Sequence, residues 1–181
     1  MDSLTPDAVL LGLLMIAPRH GYDLIHTFES ADELGRVWQM STSQVYAVLK
    51  RLERTGMIVG ETRTTEHAPP RTLYTLTDAG RLHFLSWLHI EKPPSSVRRV
   101  RVEFLSRLFL ARALNLPTLE IVRRQRQACQ HYYDLLTEQR AGAAPGIEYL
   151  AVEFEMYQIA AIVDWLARVE LAPHPSGEND L

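Results

Sequence analysis

Apolar residues in the first half of the chain fall into short blocks whose period changes from helix to strand and back. Residues 8–16 are apolar on almost every side, the pattern of a helix buried all round. Thr5-Pro6-Asp7 ahead of them supplies an N-cap, a proline at the first helical position and an acid in the first turn. Pro18 ends that helix, and residues 21–28 open a second with Leu24, Ile25 and Phe28 turned inward. The third helix is the best marked. Ser41 and Gln44 form a capping box, so the helix begins at about Thr42. Gly56 is the residue type that takes a left-handed C-cap without a Cβ penalty, so it stops near Thr55. At about 100° per residue, Val45, Val48, Leu49 and Leu52 share one side, while Ser43, Ala47, Lys50 and Arg54 share the other. Tyr46 and Arg51 flank the polar side. Small residues followed by cations allow close approach to base edges and then to phosphates. Taken alone, the same face is also what a solvated amphipathic helix presents.

The neighbouring segment shifts that balance. Residues 57–61 and 71–76 are β-rich, and the nine residues between them are too many for a two-residue hairpin turn. They predict a wing. Pro69-Pro70 is expected to deny ladder donors to the returning arm, so that 62–70 projects rather than pairs and carries Arg63, His67 and Arg71 along it. Those three are either loop polarity or contacts to phosphate and minor groove. Trp38, just ahead of the third helix, reads as a plug between helices. Thr77-Asp78 caps a fourth helix with Leu82, Leu85, Trp87 and Leu88, running to about Ile90.

Residues 92–96, Lys-Pro-Pro-Ser-Ser, read as a linker, and beyond it the period is helical throughout. Helices are expected over 97–114, 117–140 and 147–169. The last has two apolar stripes, Ile147, Leu150, Phe154, Tyr157 and Ala161 on one side and Val152, Met156, Ile159, Val163 and Leu166 on another. A dimerisation helix has that pattern, and so does a helix buried on both sides in one bundle. The expected organisation is a mainly α chain: a winged helix-turn-helix at 1–91, a linker at 92–98, an all-α dimerisation domain at 99–170 and a disordered tail at 171–181.

Composition adjusts this picture more than it builds it. The 181 residues are 46% hydrophobic, enough for a real core, and carry a net charge of −3. Residues 1–91 hold eight Lys and Arg against eleven Asp and Glu, but residues 41–75 hold five against three. The positive footprint is therefore local and modest, and a DNA reader built on it needs two copies to gather enough phosphate contacts. No stretch reaches the roughly 18 consecutive apolar residues of a membrane span. The acids at positions 2 and 7 stand where a signal peptide needs cations, and the single Cys129 fits a reducing compartment, so a cytoplasmic protein is expected.

Little in the chain suggests catalysis. Cys129 and His131 are two apart on an expected helix and point about 200° from each other, so neither a metal site nor a cofactor is expected. There is no phosphate-binding glycine loop or nucleophile elbow, and only scattered histidines speak for an enzyme. Trp38 and Trp87 are the candidate residues for stacking a planar aromatic effector, although tryptophans more often serve as core.

Several of these residues, in their order, resemble the PadR family of transcriptional regulators, in its longer form with a helical C-terminal domain. The resemblance is carried by Val9-Leu-Leu-Gly-Leu-Leu14, His20-Gly-Tyr-Asp-Leu24, Ser43-Gln-Val-Tyr46, Leu49-Lys-Arg-Leu-Glu53, Gly56-Met-Ile58 and the run from Pro69 to Gly80. It implies a homodimeric repressor that binds a near-palindromic double-stranded operator and lets go when a small molecule, such as an aromatic effector, or another signal shifts the dimer. It also implies Ser41, Ser43, Gln44, Tyr46, Lys50 and Arg51 as contacts of the reading helix, and Arg63, His67 and Arg71 as contacts of the wing. One departure is visible: Ala47 stands where the family commonly has proline. The competing expectation is a winged-helix module that binds protein instead, which the acidic balance of residues 1–91 favours.

Overall fold

The computed structural model describes residues 6–65 and 68–172, without the side chains of 63–65 and 68–70. The chain packs as two compact units, one formed by residues up to 89 with 109–114, the other by 90–108 with residues from 115 onward.

In the first unit, helix α1 (Asp7–Ile16) buries every residue from Ala8 to Leu14, as its all-round apolarity predicts. Thr5, the expected cap, lies outside the described residues, and Pro6 immediately precedes the helix. A Cβ on Gly12 would come within 2.5 Å of Leu110 and 2.6 Å of Phe84, so α1 passes both side chains with no room for one of its own. Helix α2 (Gly21–Glu29) buries Leu24, Ile25 and Phe28. Its start is fixed by the Asp23 carboxylate, which accepts the His20 N–H at 3.2 Å. Helix α3 (Thr42–Arg54) begins on the Ser41–Gln44 box and buries Val45, Val48, Leu49 and Leu52. It ends where expected, with Gly56 at φ +70°.

Strands β1 (Arg19–His20), β2 (Ile58–Thr65) and β3 (Ala68–Leu76) form an antiparallel sheet in the order β1-β3-β2. α2, α3 and the β2–β3 hairpin make a winged helix-turn-helix. The wing corrects one expectation: β3 begins at Ala68, before the prolines, and the ladder runs from Ile58↔Leu76 through Arg63↔Arg71 to Thr65↔Ala68, with an irregularity between Arg63 and Thr65. Pro69 and Pro70 fall at that irregularity, between the Arg63↔Arg71 and Thr65↔Ala68 pairs, where a missing donor is tolerated. Near its start β3 has a strand on one side alone, since β1 reaches only Leu73 and Tyr74. β1 itself has no signature in the sequence, since two residues are too short to show alternation.

Two further expectations change. Trp38 is only half-buried, and the buried residues between α2 and α3 are Leu34 and Met40. Helix α4 (Asp78–Leu88), capped by the Thr77 hydroxyl accepting Gly80 N–H at 3.2 Å, buries Gly80, Phe84 and Leu88 and leaves Leu82 exposed.

The run expected as one helix over 97–114, whose residues 109–114 belong to the first unit, contains a π-helical turn: α5 (Val97–Arg99) leads into Val100–Phe104 and then α6 (Leu105–Ala113). Near that turn sits Arg107, only 2% exposed, with Nη2 donating to Gln125 Oε1 at 2.9 Å. Burial brings its pKa down to about 10. Helices α7 (Leu119–Gly142) and α8 (Ile147–Leu171) run antiparallel, as the pairs Arg123–Glu170, Tyr132–Glu155 and Arg140–Glu153 require. Phe104 meets Trp165 edge-on at 6.0 Å. Residues 173–181, most of the expected tail, lie outside the described residues.

Gly80 gives the sharpest steric test of this fold. A Cβ there would stand 2.1 Å from the Met57 carbonyl oxygen, which is backbone and cannot swing aside. Gly80→Ala should therefore destabilise the protein by about 1–3 kcal/mol, read as a lower urea midpoint, and an unchanged midpoint would show that α4 is free to move away from the wing.

Candidate nucleic-acid interface

The exposed side of α3 carries most of the expected contacts, and the structure divides them by what else they do. Ser41 and Gln44 serve the helix start: Gln44 Oε1 accepts the Ser41 N–H at 2.8 Å and its hydroxyl at 3.1 Å. Ser43 Oγ lies 3.0 Å from Ser41 Oγ. The box uses the carbonyl oxygen of Gln44 and not its amide NH2, so this residue offers a partner donors. Further along, Ala47, Lys50 and Arg54 border a shallow hollow of about 470 Å³, with Arg51 and Glu53 at its sides. Ala47 keeps the hollow open because it has so little side chain.

Arg51 is committed elsewhere. Its Nε and Nη2 donate to the two Asp7 carboxylate oxygens at 2.9 and 2.7 Å, a bidentate pair between α3 and α1 that also raises the arginine's pKa. Glu53 is a tie as well, accepting the Gly60 N–H of β2 at 3.1 Å.

On the wing, Arg63 and Arg71 are directly opposed in the ladder. The Arg63 side chain and the whole of His67 lie outside the described residues. Arg71 is exposed and lines a cleft of about 640 Å³ together with His20, Gly21, Tyr22, Tyr46 and Tyr74. The structure thus brings Tyr46 of α3 and Arg71 of the wing to one place. His20 Nδ1 lies 3.1 Å from the Thr72 carbonyl oxygen and holds the start of α2 to β3. Burial, helped by the negative charge of Glu53, pushes the Tyr74 phenol up, so it stays protonated at neutral pH. Sequence reasoning does not name His20, Tyr22 or Tyr74 as site residues. The one available signal is that Tyr22 falls off the apolar stripe of α2.

The two tryptophans considered for an effector are both half-buried. Trp87 lies against Phe84, ring centroids 6.2 Å apart, and neither tryptophan lines the 640 Å³ cleft. Cys129 is buried, which pushes its thiol pKa up. Among the described residues no group of three or more His, Cys, Asp or Glu is placed to hold a metal ion, and no helix is long and apolar enough to cross a membrane. In the second unit, the two stripes of α8 have different fates. Met156, Ile159 and Leu166 are buried, whereas Ile147, Leu150, Phe154 and Tyr157 are exposed, the last two at 65% and 70%.

Residues 10–85 match the Transcriptional regulator PadR-like family. The Negative transcriptional regulator PadR of Bacillus subtilis is 32% identical over 120 residues, a match covering 64% of this chain and 65% of that protein, just under two thirds of its length. The crystal structure of Bacillus subtilis PadR with operator DNA is 25% identical, covers 93% of this chain and 98% of its own, and superposes with a TM-score of 0.48. The structure of the same protein with p-coumaric acid is also 25% identical, covers 91% of this chain and 93% of its own, and has a TM-score of 0.41.

The Asp7–Arg51 pair yields a direct test. With the arginine 42% exposed, solvent screens the attraction, and a double-mutant cycle of Asp7→Ala and Arg51→Ala in urea unfolding should give a coupling of about 0.5–1 kcal/mol. A coupling near zero would mean that the pair does not tie α3 to α1.

Proposed function

We propose that this chain, whose residues 10–85 match the Transcriptional regulator PadR-like family, is a sequence-specific DNA-binding repressor acting as a homodimer on a near-palindromic operator, released by a small molecule or another signal. The observation that carries this reading is the exposed, capped face of α3 next to a paired wing, both inside the matched segment. In this reading α3 enters the major groove, with Ser43 and Gln44 toward base edges and Tyr46 and Lys50 toward phosphate, while Arg63, His67 and Arg71 of the wing reach the flanking backbone or minor groove. Arg51 contacts DNA only by exchanging Asp7 for a phosphate. Each segment then has its role: 1–91 reads, 92–98 links and 99–170 dimerises. The site of action is the cytoplasm, where the operator is.

Homodimerisation is supported by two features. The reading unit has only a small local excess of cations, and the exposed stripe of α8 offers a seam with the three- and four-residue spacing by which helices pair. A second copy laid along Ile147, Leu150, Phe154 and Tyr157 would cover apolar surface and double the phosphate contacts. A small aromatic effector fits the reading as the releasing signal, with Trp38 and Trp87 as the candidate stacking side chains.

Selection from random duplexes with the full chain should enrich a palindrome, and no enrichment would favour the protein-binding module instead. On the enriched duplex, Lys50→Ala and Arg71→Ala should each weaken binding and lower the salt slope by about 1; unchanged affinity and slope in both would remove α3 and the wing from the interface. Phe154→Asp with Tyr157→Asp should turn the dimer into a monomer in sedimentation while keeping helical circular dichroism. A double variant that stays dimeric would exclude this face of α8.

A further inference from the structure

The cleft between the start of α2, α3 and β3 has a feature that folding alone does not require. Gly21 is the first residue of α2 and is buried, yet its backbone is not in the left-handed region, so nothing in its conformation calls for glycine. What calls for it is Tyr46. A Cβ at position 21 would lie 2.8 Å from Tyr46 Cε1 and 3.0 Å from its hydroxyl oxygen. The phenol of the reading helix thus lies directly on the Gly21 backbone at the wall of the cleft. Tyr46 remains 46% exposed and Tyr22, next in α2, is 70% exposed. Two large aromatic rings are left in water beside a guanidinium, around an opening lined by polar and apolar surface alike.

We propose that this cleft seats one phosphate of the DNA backbone, with Tyr22, Tyr46 and Arg71 as its contacts and Gly21 as the positioning residue that lets Tyr46 reach it. The proposal rests on the DNA-binding reading and adds a specific contact set to it. The chemistry is that of an anion: two phenolic O–H donors and a planar cation, none of which demands an acceptor from a charged oxygen in return. The place agrees. A strand passing from a groove read by α3 to a groove met by the wing must cross between them, where Tyr46 and Arg71 meet. Asp23 lines the same cleft, with its Oδ2 taking the His20 N–H. Its charge opposes an anion, so the phenols and Arg71 must outweigh it, and neutralising it should strengthen the seat.

The test uses the full chain, the duplex enriched by selection and a shuffled duplex of equal length, with affinity measured across a KCl series. Tyr22→Phe and Gly21→Ala should each weaken both duplexes by the same factor, about threefold to tenfold. Alanine is the better helix former, so Gly21→Ala should keep thermal stability while it displaces Tyr46. Asp23→Asn should tighten both duplexes, and Arg71→Gln should lower the salt slope by about 0.9. Replacing one phosphate by a neutral methylphosphonate should erase the difference between wild type and Tyr22→Phe at a single position of each half-site. Variants that bind like wild type, a loss confined to the selected duplex, or no such position would overturn the seat and leave the DNA-binding reading standing. A wild-type chain that binds neither duplex would overturn both.

Discussion

The groups that could face a nucleic acid all depend on one junction, where α3 ends, the wing leaves and returns, and α4 begins. Gly56 turns the chain with a positive φ, and Met57 N–H donates back to the Leu52 carbonyl at 2.9 Å. On the far side of the hairpin, Thr77 N–H donates to Met57 O at 3.1 Å and the Thr77 hydroxyl donates to Gly56 O at 2.8 Å while accepting the Gly80 N–H of α4. One threonine side chain therefore caps the next helix and ties it to the end of the previous one. The Met57 carbonyl passes so near Gly80 that only a missing side chain admits it. The result is a wing rooted at the C-terminal end of α3, which fixes the angle between two surfaces that a duplex would meet at once.

Around that junction the polar residues of α3 are largely used to hold α3 itself. Gln44 closes the cap, Arg51 grips Asp7, and Glu53 takes the Gly60 N–H. Ser43, the Gln44 amide NH2, Tyr46, Ala47, Lys50 and Arg54 make up the surface left for a partner. This accounts for the thin charge balance of the segment. A helix that spends one arginine on anchoring and keeps an acid for the sheet gains a rigid pose and loses long-range attraction. Rigidity favours discrimination between sequences, because misplaced donors cannot swing to a second-best partner.

The parts of this architecture legible in the sequence are those decided within a few residues. A capping box, a glycine C-cap and a 3.6-residue stripe are local, and α3 has the expected start, end and buried face. Expectation and structure part where a distant neighbour decides. Prolines in a strand argue against a ladder, and Pro69-Pro70 do fall in the irregular stretch, yet pairing resumes beyond them at Thr65↔Ala68. β1 exists only because Leu73 and Tyr74 present an edge to Arg19 and His20. Leu82 keeps helical phase with apolar residues but faces water. The π-helical turn ahead of the buried Arg107 leaves no mark in the hydrophobic pattern. For the candidate interface the chain announces its helix but not its cleft, since Gly21, Tyr46 and Arg71 meet only through tertiary packing.

The two stripes of α8 pose the remaining physical question, because periodicity gives both and packing settles only one. Met156, Ile159 and Leu166 are covered within the second unit, while Ile147, Leu150, Phe154 and Tyr157 stand in solvent. Single exposed apolar residues are ordinary on protein surfaces, whereas four at a regular three- and four-residue interval form a continuous strip of the kind that marks an interaction surface. Their order matters too. An aromatic pair beside aliphatic residues is the composition of an interface core, where large, stiff rings bury much area at little entropic cost. A first unit with few spare cations and a helix with an open apolar seam are two deficits of opposite kind, electrostatic and hydrophobic. On the proposed reading, pairing with an identical chain would remove both, since a contact that buries the seam would also bring a second set of cations to the same duplex.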